Sequence, residues 1–133
     1  MIVLDTHVAL WSVFNTAALG KRCLRLIRQA EDKRELAISA VSFWEISLLI
    51  AKRRLRFSDS AKEVRRTILA TRTAELPLSG EIAILAGEIE NLHANPADRF
   101  IAATAITHDA TLVTADDRLL RWQHSVRRSN AEI

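Results

Sequence analysis

The strongest constraint in this chain is a set of short, uninterrupted apolar runs, each stopping at a polar or acidic residue. Met1 to Leu4 is apolar, β-branched at its centre, and ends at Asp5. Leu36-Ala37-Ile38-Ser39 repeats the design ahead of a Ser-containing turn, and Thr111-Leu112-Val113-Thr114 leads into Asp116-Asp117. A strand with one solvated face alternates apolar and polar residues; a strand covered on both faces reads as a continuous run. Glu75-Leu76-Pro77-Leu78 is a weaker fourth strand, placed at an edge because Pro77 has no N–H for a ladder. Ser125-Val126-Arg127 reads as a short fifth.

Helical spacing fills the intervals. Leu19 to Lys33 sets Leu24, Ile27 and Ala30 on one face, and Lys62 to Thr71 does the same with Val64, Ile68 and Leu69. Ser42 to Lys52 opens with Ser and has Glu45 three residues on, the capping-box pattern. Ser79 to Leu92 carries Ile82, Leu85, Ala86 and Ile89, and Ala97 to Thr107, following Pro96, carries Phe100, Ile101 and Ala105. Strands alternating with helices predict βαβ units. The expected fold is α/β: a single domain over residues 1–133, built as a three-layer α/β/α sandwich around a mainly parallel sheet of four or five strands. A length of 133 residues suits one such domain.

Composition removes several function classes. The three glycines, Gly20, Gly80 and Gly87, are too scattered for a P-loop or a dinucleotide fingerprint. Cys23 stands alone, which excludes a disulfide framework and a Cys-based zinc site and suits a reducing, cytoplasmic setting. The apolar run Ile46 to Ala51 is far too short to span a bilayer. The net charge of +3 conceals an uneven distribution. Residues 52–72 hold eight Lys or Arg against two acids, whereas residues 73–98 hold five acids and no Lys or Arg. A basic segment beside an acidic one fits a polyanion held next to an acidic pocket, although charge runs also serve simply as solvated helix faces.

In an open α/β sheet the ligand site lies beyond the carboxyl ends of the strands. Asp5 and Asp116 follow two of the predicted strands, and Glu45 and Asp98 occupy the first turns of predicted helices. Singly, each reads as a helix cap or a dipole partner. Together they are predicted to share one edge, where crowded carboxylates raise one another's pKa and call for a cation. Oxygen donors suit Mg²⁺ or Mn²⁺, and phosphodiester hydrolysis is the chemistry such a site serves. Thr6, Ser39 and Thr114 are candidates for orienting the carboxylates, with local backbone bonding as the plainer role. Asp117 is a further outer candidate or an exposed helix-start acid. His7, His93, His108 and His124 receive no role.

These residues resemble a known family. Ile2-Val3-Leu4-Asp5-Thr6-His7, Val41-Ser42-Phe43-Trp44-Glu45-Ile46, Asn95-Pro96-Ala97-Asp98-Arg99-Phe100-Ile101-Ala102-Ala103-Thr104-Ala105 and Leu112-Val113-Thr114-Ala115-Asp116 are similar, in order, to the successive motifs of the PIN domain. The size resembles the VapC-type toxins of prokaryotic toxin–antitoxin pairs. The resemblance implies an Mg²⁺- or Mn²⁺-dependent endoribonuclease with Asp5, Glu45, Asp98 and Asp116 as its metal-binding and catalytic acids. It also implies a homodimer, or a larger toxin–antitoxin assembly, neutralised by a small antitoxin whose C-terminal segment obstructs the site. One departure is Asn95, where relatives sharing the His-x-x-Pro-x-Asp-Arg stretch often carry Asp.

Trp11, Phe14, Phe43, Trp44 and Leu48 are candidates for an antitoxin groove, with at least two of them expected to be buried in the domain. Lys52, Arg53, Arg54, Arg56 and Arg65 are the candidate contacts to RNA phosphates. Two rival acidic folds fit poorly. A phosphoacceptor receiver wants a Lys after a late strand, and a dehalogenase-type phosphatase wants Asp-x-Asp where this chain has Asp5-Thr6-His7. The standing alternative is a non-catalytic RNA- or protein-interaction module on the same fold.

Overall fold

The computed structural model describes residues 1–53 and 60–133. Five strands form one sheet in the order β3-β2-β1-β4-β5: β1 (Ile2–Leu4), β2 (Leu36–Ser39), β3 (Ala74–Leu76), β4 (Thr111–Thr114) and β5 (Arg128–Asn130). Every pairing is parallel. The continuous apolar runs are explained by helices on both faces. Ile2, Leu4, Leu36, Ile38 and Val113 enter one core cluster, and Val3, Ala37 and Leu112 enter the other. The first cluster is closed by α1 (Thr6–Phe14), α2 (Lys21–Asp32) and α4 (Ala61–Leu69), through residues such as Val8, Ile27 and Ile68. The second is closed by α5 (Gly80–Glu88), α6 (Pro96–Thr107) and α7 (Asp117–Leu120), through Ile82, Ile101 and Leu119. Helix α3 (Ala40–Ala51) sends Ile46 to the first and Val41 to the second.

The register positions the site. Leu4 pairs with Ile38 on one side and Val113 on the other, so Asp5, Ser39 and Thr114 emerge level at the carboxyl edge. From β1 the chain builds outward through β2 and β3, then returns to build β4 and β5 on the opposite side. The reversal lies between β1 and β4, the place where an α/β sheet opens a crevice.

Several expected boundaries shift for identifiable reasons. Helix α1 follows Asp5 directly, a helix for which the apolar spacing alone gave little signal. Helix α3 is capped by Ser39, whose Oγ accepts from the Val41 N–H at 3.2 Å, and not by Ser42. Ser42 is buried one turn inside, accepting from Thr6 Oγ1 at 2.9 Å. Helix α5 is capped by Ser79 but ends at Glu88, short of Leu92, because Ile89 leaves helical geometry at φ −56°, ψ 127°. The last strand lies at Arg128–Asn130 instead of 125–127. It is a half-buried edge strand with no apolar run, and its place is set by backbone pairing to β4. Among the described residues no helix is long and apolar enough to cross a membrane.

Candidate functional site

A cavity of about 290 Å³ opens at the crevice between β1 and β4, lined by Asp5, His7, Glu45, Asn95, Asp98, Ala115, Asp116 and Arg118. All four predicted acids border it, each from a different element. Asp5 leaves β1 and caps α1, its Oδ1 accepting from the Thr6 N–H at 2.8 Å and its Oδ2 from Thr114 Oγ1 at 2.6 Å. Thr114 in turn accepts from the Asp116 N–H at 3.0 Å, so one hydroxyl ties the ends of β1 and β4 together. Burial pushes the Asp5 carboxyl up to about 6. The Thr114 and Thr6 hydrogen bonds pull against that, while the charges of Asp98 and Glu45 add to it.

Asp116 caps α7, accepting from the Arg118 N–H at 2.8 Å, and its Oδ2 lies 3.3 Å from Arg118 Nη2. Partial burial pushes this carboxyl up, but the hydrogen bonds and charge of Arg118 outweigh it, leaving Asp116 below the ordinary carboxylate value. Asp98 is buried in the first turn of α6, with the Asn95 amide oxygen accepting from its N–H at 3.4 Å. Its Oδ2 lies 2.6 Å from His93 Nε2 and 3.8 Å from Arg118 Nη2. Asn95, the departure from Asp, therefore caps the helix that carries Asp98.

The donor set fits a divalent cation. Ligand atoms of His93, Asp98 and Asp116 all lie within 4.8 Å of one another. Asp5 and Glu45 border the same cavity outside that triplet, and Asp5 holds a pKa that an adjacent cation would lower. Within the cavity lining, the positive charge facing these acids is Arg118.

The remaining candidates divide. The Thr114 hydroxyl donates to Asp5, whereas the Thr6 hydroxyl donates to Ser42 and only the Thr6 N–H reaches Asp5, and Ser39 is occupied as the α3 cap. Asp117 is exposed at the start of α7, outside the cavity lining. Lys52 and Arg53 are exposed just past α3. Arg65 is paired with Glu75, Nε to Oε1 at 2.7 Å, and its guanidinium carbon lies 5.6 Å from the Phe43 ring centre. Arg54 and Arg56 fall outside the described residues. None of Trp11, Phe14, Phe43, Trp44 and Leu48 is fully buried, against the expectation of at least two. Trp11 and Phe43 only edge the first core cluster, and Trp44 stands 49% exposed.

Sequence reasoning passed over His93, Arg118 and Arg99. The signal for His93 and Arg99 lay in the His-x-x-Pro-x-Asp-Arg stretch, where both flank Asp98; Arg118 follows Asp117 within one helical turn of Asp116.

A family model described as the PIN domain matches residues 2–124. Ribonuclease VapC22 of Mycobacterium tuberculosis (strain ATCC 25618 / H37Rv) is 31% identical over 124 residues, 92% of each chain. Among solved structures, VapBC2 from Rickettsia felis bound to a DNA fragment from its promoter superimposes with a TM-score of 0.71 at 20% identity, covering 98% of both chains. DNA-bound VapBC from Salmonella typhimurium gives 0.69 at 17% identity over 97% of this chain and 96% of that one. FitAcB from Neisseria gonorrhoeae gives 0.65 at 22% over 98% of both. At these identities the structural likeness is one of fold.

Proposed function

The chain belongs to the PIN-domain family, and from that premise we propose that it is a VapC-type toxin, an endoribonuclease working through a divalent cation, Mg²⁺ or Mn²⁺. The observation that carries this reading is the convergence of Asp5, Glu45, Asp98 and Asp116 on one cavity at the point where the strand order reverses, between β1 and β4. Asp98 and Asp116, with Asp5 and Glu45 beside them, are the residues that would hold the ion. When bound, the ion supplies charge compensation at the phosphate and lowers the pKa of water.

The protein's own part is to orient and to exclude. Thr114 and the Thr6 N–H hold both oxygens of Asp5 in place, so its carboxylate is presented in one orientation. Arg118 is 3.3 Å from Asp116 and 3.8 Å from Asp98, within reach of a phosphate entering the same cavity. Lys52 and Arg53 supply exposed positive charge for the flanking RNA backbone. In the reaction the oxygen of water bonds to phosphorus and the P–O3′ bond breaks. The products are a 5′-phosphate and a 3′-hydroxyl.

The likeness to VapBC and FitAB assemblies supports a cognate antitoxin as partner, and a toxin homodimer is proposed beside it from the family resemblance. The part-exposed aromatics Trp11, Phe14, Phe43 and Trp44 are the surface proposed for it. The test is cleavage of structured cellular RNA with end-group analysis. Cutting is expected only with Mg²⁺ or Mn²⁺, and is expected to be lost in Asp5→Asn and Asp98→Asn proteins that retain a native circular dichroism spectrum. Metal-independent cutting, or full activity in those variants, would overturn the reading; a native chain that neither cuts RNA nor binds Mn²⁺ would favour the non-catalytic interaction module.

A further inference from the structure

The residues between α5 and α6 form no helix or strand, yet they carry the imidazole that touches Asp98. One side chain supplies most of the hydrogen bonds that hold them. Arg99 Nε donates to the Ala86 carbonyl at 2.7 Å; Nη1 donates to Leu92 at 2.8 Å and His93 at 3.3 Å; Nη2 donates to Ile89 at 2.6 Å and Gly87 at 3.4 Å. A guanidinium has five N–H groups, and all five end on backbone carbonyls, two in the last turn of α5 and three in the connecting segment. No carboxylate partners Arg99 among the described residues. Its charge is met by carbonyl dipoles, two of them from the last turn of α5, where a helix favours a cation. The one further carbonyl in the segment with a side-chain donor, Glu90, accepts from Trp122 Nε1 at 3.0 Å.

The result is a fixed path from the end of α5 to His93, and from His93 Nε2 to Asp98 Oδ2 at 2.6 Å. With the carboxylate as acceptor, this contact requires a proton on Nε2. The other oxygen of Asp98 accepts no hydrogen bond from the described residues, so the imidazole decides which oxygen is left for a ligand. Carboxylates that bind metals are characteristically oriented by such outer hydrogen bonds, whose loss weakens metal binding by about 10–100-fold.

We propose that Arg99 is a positioning residue of the acidic site: its five-carbonyl clamp sets His93, and His93 in turn orients Asp98 toward a divalent cation. The inference rests on Asp98 being a cation ligand, as proposed above, and adds how that ligand is held. Arg99 and Asp98 are adjacent on α6, and one reaches the loop while the other lines the cavity.

The test is a double-mutant cycle in Mn²⁺ affinity, followed by electron paramagnetic resonance on the full chain, with melting curves recorded in parallel. His93→Ala and Arg99→Lys are each expected to weaken Mn²⁺ binding about 10-fold or more. Lysine keeps the charge but not the fork. The double variant is expected to bind no more weakly than His93→Ala alone. Ser79→Ala, which removes the α5 cap at the far end of that helix, is expected to lower the melting temperature and leave Mn²⁺ affinity unchanged. Losses that multiply in the double variant, or an Arg99→Lys protein that melts earlier but binds Mn²⁺ normally, would overturn the proposal.

A second measurement needs no substitution. Imidazole ¹⁵N correlation spectra of the unaltered chain are expected to show His93 protonated at Nε2 before and after MgCl₂ addition. Loss of that proton on adding Mg²⁺ would make His93 a ligand and overturn the positioning role. A chain that binds no Mn²⁺ at all would sink the metal reading beneath it, and the inference with it.

Discussion

Asp5 accepts hydrogen bonds at both carboxylate oxygens and still titrates at about 6, because burial costs its charged form more than two donors return, and two neighbouring acids add to the cost. The consequence for stability has a definite sign. The folded chain keeps a proton on Asp5 across the interval from 3.8 to about 6, where the unfolded chain has released it. Stability from this group is therefore highest in acid and declines as pH rises through that interval. At roughly 1.36 kcal/mol per pKa unit, the decline approaches about 3 kcal/mol. In the absence of divalent cations, Asp5→Asn is expected to remove it. Denaturant titrations near pH 4 and pH 7.5 should show the variant gaining on the native chain by up to that amount as pH rises. A constant difference between the two would contradict the assignment. Arg118 acts in the opposite sense, as a cation already beside Asp98 and Asp116. Arg118→Ala is expected to strengthen Mn²⁺ binding severalfold while raising the RNA concentration needed for half-maximal cleavage. Gly20 answers to a different constraint, since a Cβ there would fall 2.2 Å from the backbone carbon of Ile133. Gly20→Ala must displace that backbone, whose carbonyl oxygen accepts from the Arg22 and Cys23 N–H groups at the start of α2. A lower melting temperature is the expected outcome.

At the scale of elements, the scarcity of glycine has a visible cost at helix ends. Arg34, Arg53, Arg72 and Asp109 adopt φ of 56°, 55°, 58° and 49°, and Asn91 adopts 62°, in the region glycine occupies most freely. After α2, the Arg34 N–H reaches the Glu31 carbonyl at 3.0 Å and the Glu35 N–H reaches Ala30 at 2.8 Å, closing the helix with a side chain where glycine is favoured. Arg34 is exposed, so Arg34→Gly is expected to stabilise the chain by about 0.5–1 kcal/mol in chemical denaturation, the lower end reflecting glycine's larger unfolded-state entropy. Ser79→Ala should cost about 1 kcal/mol through loss of its bond to the Ile82 N–H. The elements legible from sequence were those whose signal is local. The strands β1, β2 and β4 are continuous apolar runs, and α2, α4 and α6 carry periodic faces. Less legible were α1, which is apolar nearly all round as THVALWSVF, and β5, which is Arg-Ser-Asn. Neither periodicity nor propensity distinguishes such segments until the sheet and its helices surround them. Ser42 misled for a related reason: its spacing to Glu45 fits a capping box, but the strand before it ends at Ser39, and the helix starts there.

At the scale of the molecule, the cavity acids belong to four elements that only the fold assembles, so a bound cation would tie β1, α3, α6 and the turn into α7 together. Saturating Mn²⁺ is accordingly expected to raise the melting temperature of the native chain, by about 2.7 kcal/mol of added stability at a hundredfold excess over the dissociation constant. The gain should vanish in Asp98→Asn and Asp116→Asn. The sequence by itself determined the α/β class, the parallel pairing and the acids at the strand and helix starts, because each is written in neighbouring residues: continuous apolar runs, helical spacing, and carboxylates where chain direction changes. Tertiary structure alone decided which hydrophobic faces stay open, since Trp44 and Phe43 look like core residues until α3 is seen packing through Val41 and Ile46 instead. It also decided the partners of the acids. Arg118 and His93 reach Asp98 from segments on opposite sides of it in the chain, and Arg99 turns away from the site to clamp a loop. The Arg118 contact depends on a distance across the crevice that no spacing along the chain encodes, whereas the His-x-x-Pro-x-Asp-Arg stretch places His93 and Arg99 near Asp98 and leaves only their donor geometry to the fold.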